Sequence, residues 1–82
     1  MDWQEKYDRS KALAHQARHD FQHRVVVERD ELYAKVKALA SFINAPDRFH
    51  EVPEAEQKRL TKQFYFMTEY LAVISDRIAE FR

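Results

Sequence analysis

Three histidines, His15, His19 and His23, recur every four residues in the first third of the chain. In a continuous helix this spacing places their imidazoles on one face, where a pair can bind Zn²⁺, Ni²⁺ or Cu²⁺. This ladder lies nearly opposite the apolar stripe of its helix, so a metal site would need a carboxylate or further histidines from another copy. We therefore predict no resident metal and no cofactor, and retain the three histidines as candidate ligands or as a solvated face.

Nucleophilic catalysis has few candidates in this sequence. Cysteine is absent, and the serines Ser10, Ser41 and Ser75 stand in no recognisable nucleophile motif. Glu28 falls near the apolar stripe of the first hairpin helix, where it either fixes the helix register or acts as a functional buried carboxylate. We predict that the protein is not an enzyme.

Basic and aromatic side chains occur together on the outer sides of both predicted hairpin helices. Proteins use aromatic rings and cationic groups to hold nucleobases and phosphates, although helix surfaces also carry these residues routinely. With the aromatic residues near the N-terminus and a second apolar line described below, they form a candidate contact set for a partner or ligand. The set comprises Trp3, Tyr7, Arg18, His19, His23, Arg24, Tyr33, Arg59, Lys62, Tyr65, Phe66 and Tyr70.

A helix over residues 60–81 carries the strongest pattern in the chain and must position many of these side chains. Apolar residues recur there at steps of four and three, which predicts a helical seam that packs on another helix with left-handed wrapping. The seam consists of Leu60, Phe64, Met67, Leu71, Ile74, Ile78 and Phe81. Beside it lies a second apolar line, Phe66, Tyr70 and Val73, which suggests contacts on two sides. This line either is buried in the core or in a homo-oligomer interface, or faces a different partner.

The remaining segments complete a single all-α domain over residues 1–82. Pro46 ends the first hairpin helix near Asn44, and Pro53 suits the first turn of the second. The predicted segments are an N-terminal helical arm over 1–20, helix 1 over 21–44, a loop over 45–52 and helix 2 over 53–82.

No proline or glycine separates the arm from helix 1. A continuous helix over residues 2–44 would be about 63 Å long, more than the second helix of one copy can cover. Either the chain bends near His19–Gln22 and forms three helices, or the helix is straight and its N-terminal half packs on a neighbouring subunit. We favour the straight helix. In either case the sequence predicts an antiparallel two-helix hairpin with a long N-terminal helix, continuous or bent, that assembles into a helical-bundle oligomer of coiled-coil type.

Composition argues against several other classes of function. The 14 basic and 14 acidic residues give a formal charge of zero, which makes nucleic acid an unlikely partner. The N-terminus does not resemble a secretory signal, and no apolar run approaches the roughly 20 residues that span a bilayer. The absence of glycine and cysteine rules out a glycine-rich phosphate loop and a disulfide framework. We expect a cytoplasmic protein without a membrane partner, whose small core is supplemented by homo-oligomerisation.

The stretch from Arg24 to Phe81 resembles a group of short helical-hairpin proteins encoded by bacteriophages and prophages. Their pattern is an Arg-Val start, a glutamate, a leucine-rich helix ending in Phe-Ile, a loop phenylalanine, and a second helix with Gln, Met, Tyr and a closing Arg-Ile. The matching residues here are Arg24, Val25, Glu28, Leu32, Leu39, Phe42, Ile43, Phe49, Leu60, Gln63, Met67, Tyr70, Arg77 and Ile78. The activity of the group is unsettled, so the resemblance assigns no residue a role.

This resemblance implies a phage protein that acts in the host cytoplasm. Small phage accessory proteins commonly block host or defence proteins, so our first hypothesis is a counter-defence inhibitor that binds such a protein. Some small phage hairpins are oligomeric sponges for cyclic-nucleotide immune signals, which gives a second hypothesis with a small nucleotide as the partner. A structural or metal-binding helical oligomer is the third.

Overall fold

The computed structural model describes residues 2–81, which fold into helices. Four α-helices and one turn of 3-10 helix make up the secondary structure of this part of the chain, and no strand occurs in it. They are α1 (Asp2–Leu13), the 3-10 helix (Ala14–Gln16), α2 (Asp20–Ile43), α3 (Pro46–Phe49) and α4 (Glu54–Ala79). The predicted all-α class is confirmed. None of these helices is both long and apolar enough to cross a membrane.

The two longest helices, α2 and α4, lie side by side and run in opposite directions. A short connection joins the end of α2 to the start of α4. At the other end, the ring of Phe21 in the first turn of α2 lies 6.5 Å from the ring of Phe81, just beyond α4. The short connection at one end and the Phe21–Phe81 contact at the other show that α2 and α4 pair within one copy of the chain as an antiparallel helical hairpin.

The first helix folds back onto this hairpin. Gln4 forms a hydrogen bond with Tyr33 and Ser10 forms one with Arg29, so α1 runs antiparallel to α2. It also packs along α4. The prediction of a straight helix whose N-terminal half packs on a neighbouring subunit is therefore wrong, because the arm packs on its own chain and makes a three-helix arrangement.

The side chain of Gln22 explains how a chain without proline or glycine bends before α2. Its Oε1 atom accepts hydrogen bonds from the backbone N–H groups of Arg18 (2.7 Å) and His19 (3.1 Å). Both groups precede α2 and would otherwise lack an intrahelical acceptor. Ala17 is extended, with ψ of 123°. The predicted alternative of a bend thus holds, with the interruption immediately before α2.

The hydrophobic core forms where the seam of α4 meets α1 and α2. Leu71, Ile74 and Ile78 are at most 1% exposed, and burial of each such side chain contributes about 1.5–3 kcal/mol. Nearer the start of α4, the seam is only half-buried at Phe64 and Met67. The buried hydrophobic cluster comprises Tyr7, Ala17, Val25, Leu32, Val36, Leu71, Ile74, Ile78 and Phe81.

The second apolar line of α4 lies outside this core. Phe66, Tyr70 and Val73 are 58%, 45% and 60% exposed. The alternative in which this line is buried in the chain's own core is wrong, because α1 and α2 pack on the other sides of α4. The other two alternatives, a homo-oligomer interface and a different partner, stay predictions.

The one-turn helix α3 lies within the predicted loop over 45–52. Phe49 at its end packs edge-on against Phe42, with ring centroids 5.8 Å apart. The side-chain amide of Gln57 donates to the carbonyl of Val52 at 2.7 Å, which fixes the entry into α4. The connection thereby holds Phe49 beside the first turns of α4.

Candidate functional site

An open groove of about 640 Å³ runs along the N-terminal half of α4. The groove is part of a strip along the surface of α4, which we call the lane. Over the C-terminal half of α4, α1 occupies this lane, and Lys6 there forms an ion pair with Asp76 at 2.7 Å. The first turn of α1, at Trp3, lies beside Thr61 and Tyr65, and no other element within residues 2–81 fills the lane beyond it. We call this open part of the lane the α4 groove. It is lined by Phe49, Glu54, Gln57, Lys58, Thr61, Lys62, Tyr65 and Phe66.

Aromatic rings dominate the α4 groove. Tyr65 and Phe66 are each 58% exposed and meet edge-to-face, with centroids 5.5 Å apart. Phe49 lies at one end of the groove. At the other end, an adjoining depression of about 540 Å³ shares Thr61 and Tyr65 and is bordered by Trp3. Exposed aromatic faces of this kind stack on flat ring systems such as nucleobases.

Two lysines give the groove a positive side. Lys62 forms no ion pair within residues 2–81. Lys58 lies 3.7 Å from Glu54, and both side chains are highly exposed, so solvent weakens this pair. Because the lining holds two lysines and one glutamate, an excess positive charge remains. Lysine ammonium groups bind phosphates as point charges, and the groove therefore suits a flat, anionic molecule.

A buried polar cluster holds α1 at the end of the groove. Arg29 is 3% exposed, and its guanidinium donates to the carboxylate of Asp30 (2.7 and 3.0 Å) and to the hydroxyl of Ser10 (2.9 Å). Ser10 donates in turn to the carbonyl of Tyr7 at 2.7 Å. The guanidinium also lies 5.2 Å from the centre of the Tyr7 ring, within the range of a cation–π contact. Burial raises the pKa of the Tyr7 hydroxyl above 10.0, and the charge of Asp30 acts in the same direction.

Stacked tyrosines complete this anchor. The rings of Tyr7 and Tyr33 are parallel, with centroids 3.6 Å apart, and Trp3 lies at 6.4 Å from Tyr33. The side-chain amide of Gln4 donates to the hydroxyl of Tyr33 at 3.4 Å. These contacts fix the first turn of α1, and with it the boundary of the α4 groove.

Sequence analysis missed Arg29 as an inward-facing residue and considered Glu28 instead. Glu28 is exposed. Arg29 follows Val25 by four residues and precedes Leu32 by three, so it shares their face of α2. The available signal was a charged residue on the apolar stripe, and the prediction assigned it to Glu28, one position before Arg29.

The structure brings together only part of the predicted contact set. Lys62, Tyr65 and Phe66 line the α4 groove, and Trp3 borders the adjoining depression. His23 and Arg24 line a separate depression of about 340 Å³ on the outer face of α2. These six residues of the predicted set are thus divided between two surfaces.

Other members of the set lie away from both surfaces. Tyr7 was expected on a contact surface but is buried between α1 and α2, because its ring stacks on Tyr33. Arg59 forms an ion pair with Glu56 at 2.6 Å on the surface of α4. Exposed positions outside these depressions are Arg18, His19 and Tyr70.

The bend also breaks the predicted histidine ladder. His15 lies in the 3-10 helix, where Nδ1 is 3.1 Å from the carbonyl oxygen of Ala12. His19 precedes the first turn of α2 and His23 lies within it. The common helical face that the spacing predicted is therefore absent. Within residues 2–81, no group of three histidine, aspartate or glutamate residues is arranged to hold a metal ion.

Comparison with known proteins places this small helical chain in a family. Residues 19–80 match the model of the Sequestin family, and because they make up most of the chain, the protein belongs to that family. It is also similar to an uncharacterized 7.5 kDa protein from the denB–rIIB intergenic region of Enterobacteria phage T4. The two are 37% identical over 62 residues, which cover 76% of this chain and 95% of the T4 protein. No solved structure matches the chain. The predicted kinship with short phage-encoded proteins is confirmed.

Proposed function

We propose that this protein acts by binding and sequestering its target, without converting it, inside a phage-infected cell. The name of the Sequestin family supports sequestration, and the phage T4 relative supports the setting. The observation that carries the proposal is the α4 groove, in which exposed aromatic rings and two lysines border an open cleft.

The target class that best suits this groove is a small anionic molecule with a flat ring system, such as a cyclic nucleotide. Tyr65 and Phe66 offer aromatic surface for a base, while Lys58 and Lys62 offer charge to a phosphate. The groove volume of about 640 Å³ lies within the usual range for small-molecule sites, roughly 300–1,000 Å³.

Calorimetry and thermal unfolding with a panel of cyclic mononucleotides and dinucleotides test this proposal. A ligand at 100 times its dissociation constant adds about 2.7 kcal/mol to the free energy of unfolding, which raises Tm by roughly 10–20 °C in a domain of this size. We expect Lys62→Ala and Tyr65→Ala to abolish the shift. Lys35→Ala, which removes an exposed lysine of α2, should retain it. No heat and no shift with any member of the panel would refute the ligand class.

A host or defence protein is the second candidate target, and the outer face of α2 favours it. Val27 is 55% exposed beside Arg24 and Glu31 on this face. Exposed apolar residues rimmed by charges are typical of protein contacts. Infection of defended bacteria that express the protein separates the candidates. A Val27→Glu variant that no longer protects the phage, beside a protective Tyr65→Ala variant, would favour a protein target, and the opposite result a small molecule.

A further inference from the structure

The exposed face of α4 carries an ordered series of basic, aromatic and acidic side chains. Lys62, Tyr65, Phe66 and Glu69 are spaced as i, i+3, i+4 and i+7, so they share one face, and all four are exposed. Lys58 continues this face towards the start of the helix and Val73 towards its end. Its N-terminal part is therefore basic, its centre aromatic, and its C-terminal part acidic with an exposed valine.

We propose that two copies of this chain pair through this face, with their α4 helices antiparallel. Tyr65 and Phe66 lie at the midpoint between Lys62 and Glu69. A two-fold axis through that midpoint places Lys62 of each copy opposite Glu69 of the other, which is the self-complementary arrangement of an isologous contact. The same axis brings the aromatic rings of both copies together at the centre.

The charges of Lys62 and Glu69 favour the antiparallel orientation of the two α4 helices. Neither Lys62 nor Glu69 forms an ion pair within residues 2–81. A parallel pair would place lysine beside lysine and glutamate beside glutamate, and such like-charge contacts oppose association. In the antiparallel pair, Lys58 lies opposite Val73, so the methylene stem of the lysine packs on the valine.

The apolar content of the face supplies the attraction. Six large hydrophobic side chains are exposed in the part of the chain that the structure describes, and four of them lie on α4: Tyr65, Phe66, Tyr70 and Val73. Contiguous exposed apolar residues rimmed by polar ones mark interaction sites. Pairing and the proposed ligand both use Lys62, Tyr65 and Phe66 of the α4 groove, so we expect the two to compete. The pairing does not depend on the proposed function, because it needs no ligand.

Analytical ultracentrifugation of the full chain without added ligand tests the pairing by charge exchange. We expect a dimer for the wild type. Lys62→Glu and Glu69→Lys each turn two attractive contacts into repulsive ones, so each should raise the dimer dissociation constant about tenfold or more. The double variant, Lys62→Glu with Glu69→Lys, restores both contacts and should return to within about threefold of the wild type.

Lys35→Glu on α2 serves as the matched control for charge reversal, and its dissociation constant should equal that of the wild type. All the exchanged side chains are exposed, so the helical circular dichroism of each variant should be unchanged. A wild type that stays monomeric at every concentration would overturn the proposal. So would a dimer that tolerates Lys62→Glu, or a double variant as weak as the single ones.

Discussion

Replacing Gln22 by alanine tests the physical cause of the bend before α2. Gln22 is 5% exposed, and its Oε1 accepts two backbone N–H groups, those of Arg18 and His19. Each hydrogen bond contributes about 0.5–1.5 kcal/mol, and loss of a helix cap typically costs about 0.5–2 kcal/mol. Gln22→Ala should therefore lower the free energy of unfolding by about 1–3 kcal/mol. In a domain of this size, each 1 kcal/mol lowers Tm by roughly 4–8 °C.

Two further variants separate this cap from a general effect of the substitution. Gln63→Ala removes the same side chain from an exposed position on α4 and should change stability by no more than about 0.5 kcal/mol. Gln22→Glu keeps an oxygen that can accept both N–H groups and places a negative charge at the start of α2, where it is favourable, so it should recover most of the loss. Thermal and urea unfolding followed by circular dichroism measure all three. Equal stability of Gln22→Ala and Gln63→Ala would refute the capping argument.

Three other predictions concern the core and its polar groups. Leu71→Ala, at a fully buried site, should cost about 2–5 kcal/mol in urea unfolding, whereas Val73→Ala on the exposed face should stay within about 0.5 kcal/mol. Ser75→Ala should leave stability unchanged or raise it slightly in the same assay, because the buried Ser75 hydroxyl has no hydrogen-bond partner among residues 2–81. Burial, aided by Asp30, raises the pKa of Tyr7 in the folded state, so its contribution is complete below pH 10 and is lost as pH rises through the folded pKa. Tyr7→Phe should therefore weaken the fall in unfolding free energy above pH 10, measured by urea unfolding at a series of pH values.

Periodicity predicted the helices well because burial on one face leaves a direct trace in the sequence. The seam of α4 was complete from Leu60 to Phe81, and its inward direction follows from spacing alone. The second line, from Phe66 to Val73, was also visible, but spacing cannot say whether a line is covered by the same chain. That depends on where α1 packs.

The bend before α2 has no comparable pattern in the sequence. The wrong predictions for the histidines and Tyr7 follow from missing this bend. Every residue between Leu13 and Asp20 tolerates a helix, and the interruption depends on Gln22 bonding backwards to two N–H groups, a contact that a helix pattern does not record. Once the helix is read as continuous, the histidines align on one face and Tyr7 is placed on a contact surface. The actual path instead stacks Tyr7 on Tyr33 and separates the imidazoles.

The position of α1 also determines which part of α4 stays exposed. The matched region begins at His19, immediately before α2, so α1 lies outside it. A hairpin of α2 and α4 without α1 would expose Thr68 and Ser75, which are buried here, together with part of the apolar seam. In the present protein, α1 covers the C-terminal part of the lane and leaves the α4 groove open, so the length of α1 sets how much of this side of α4 stays exposed.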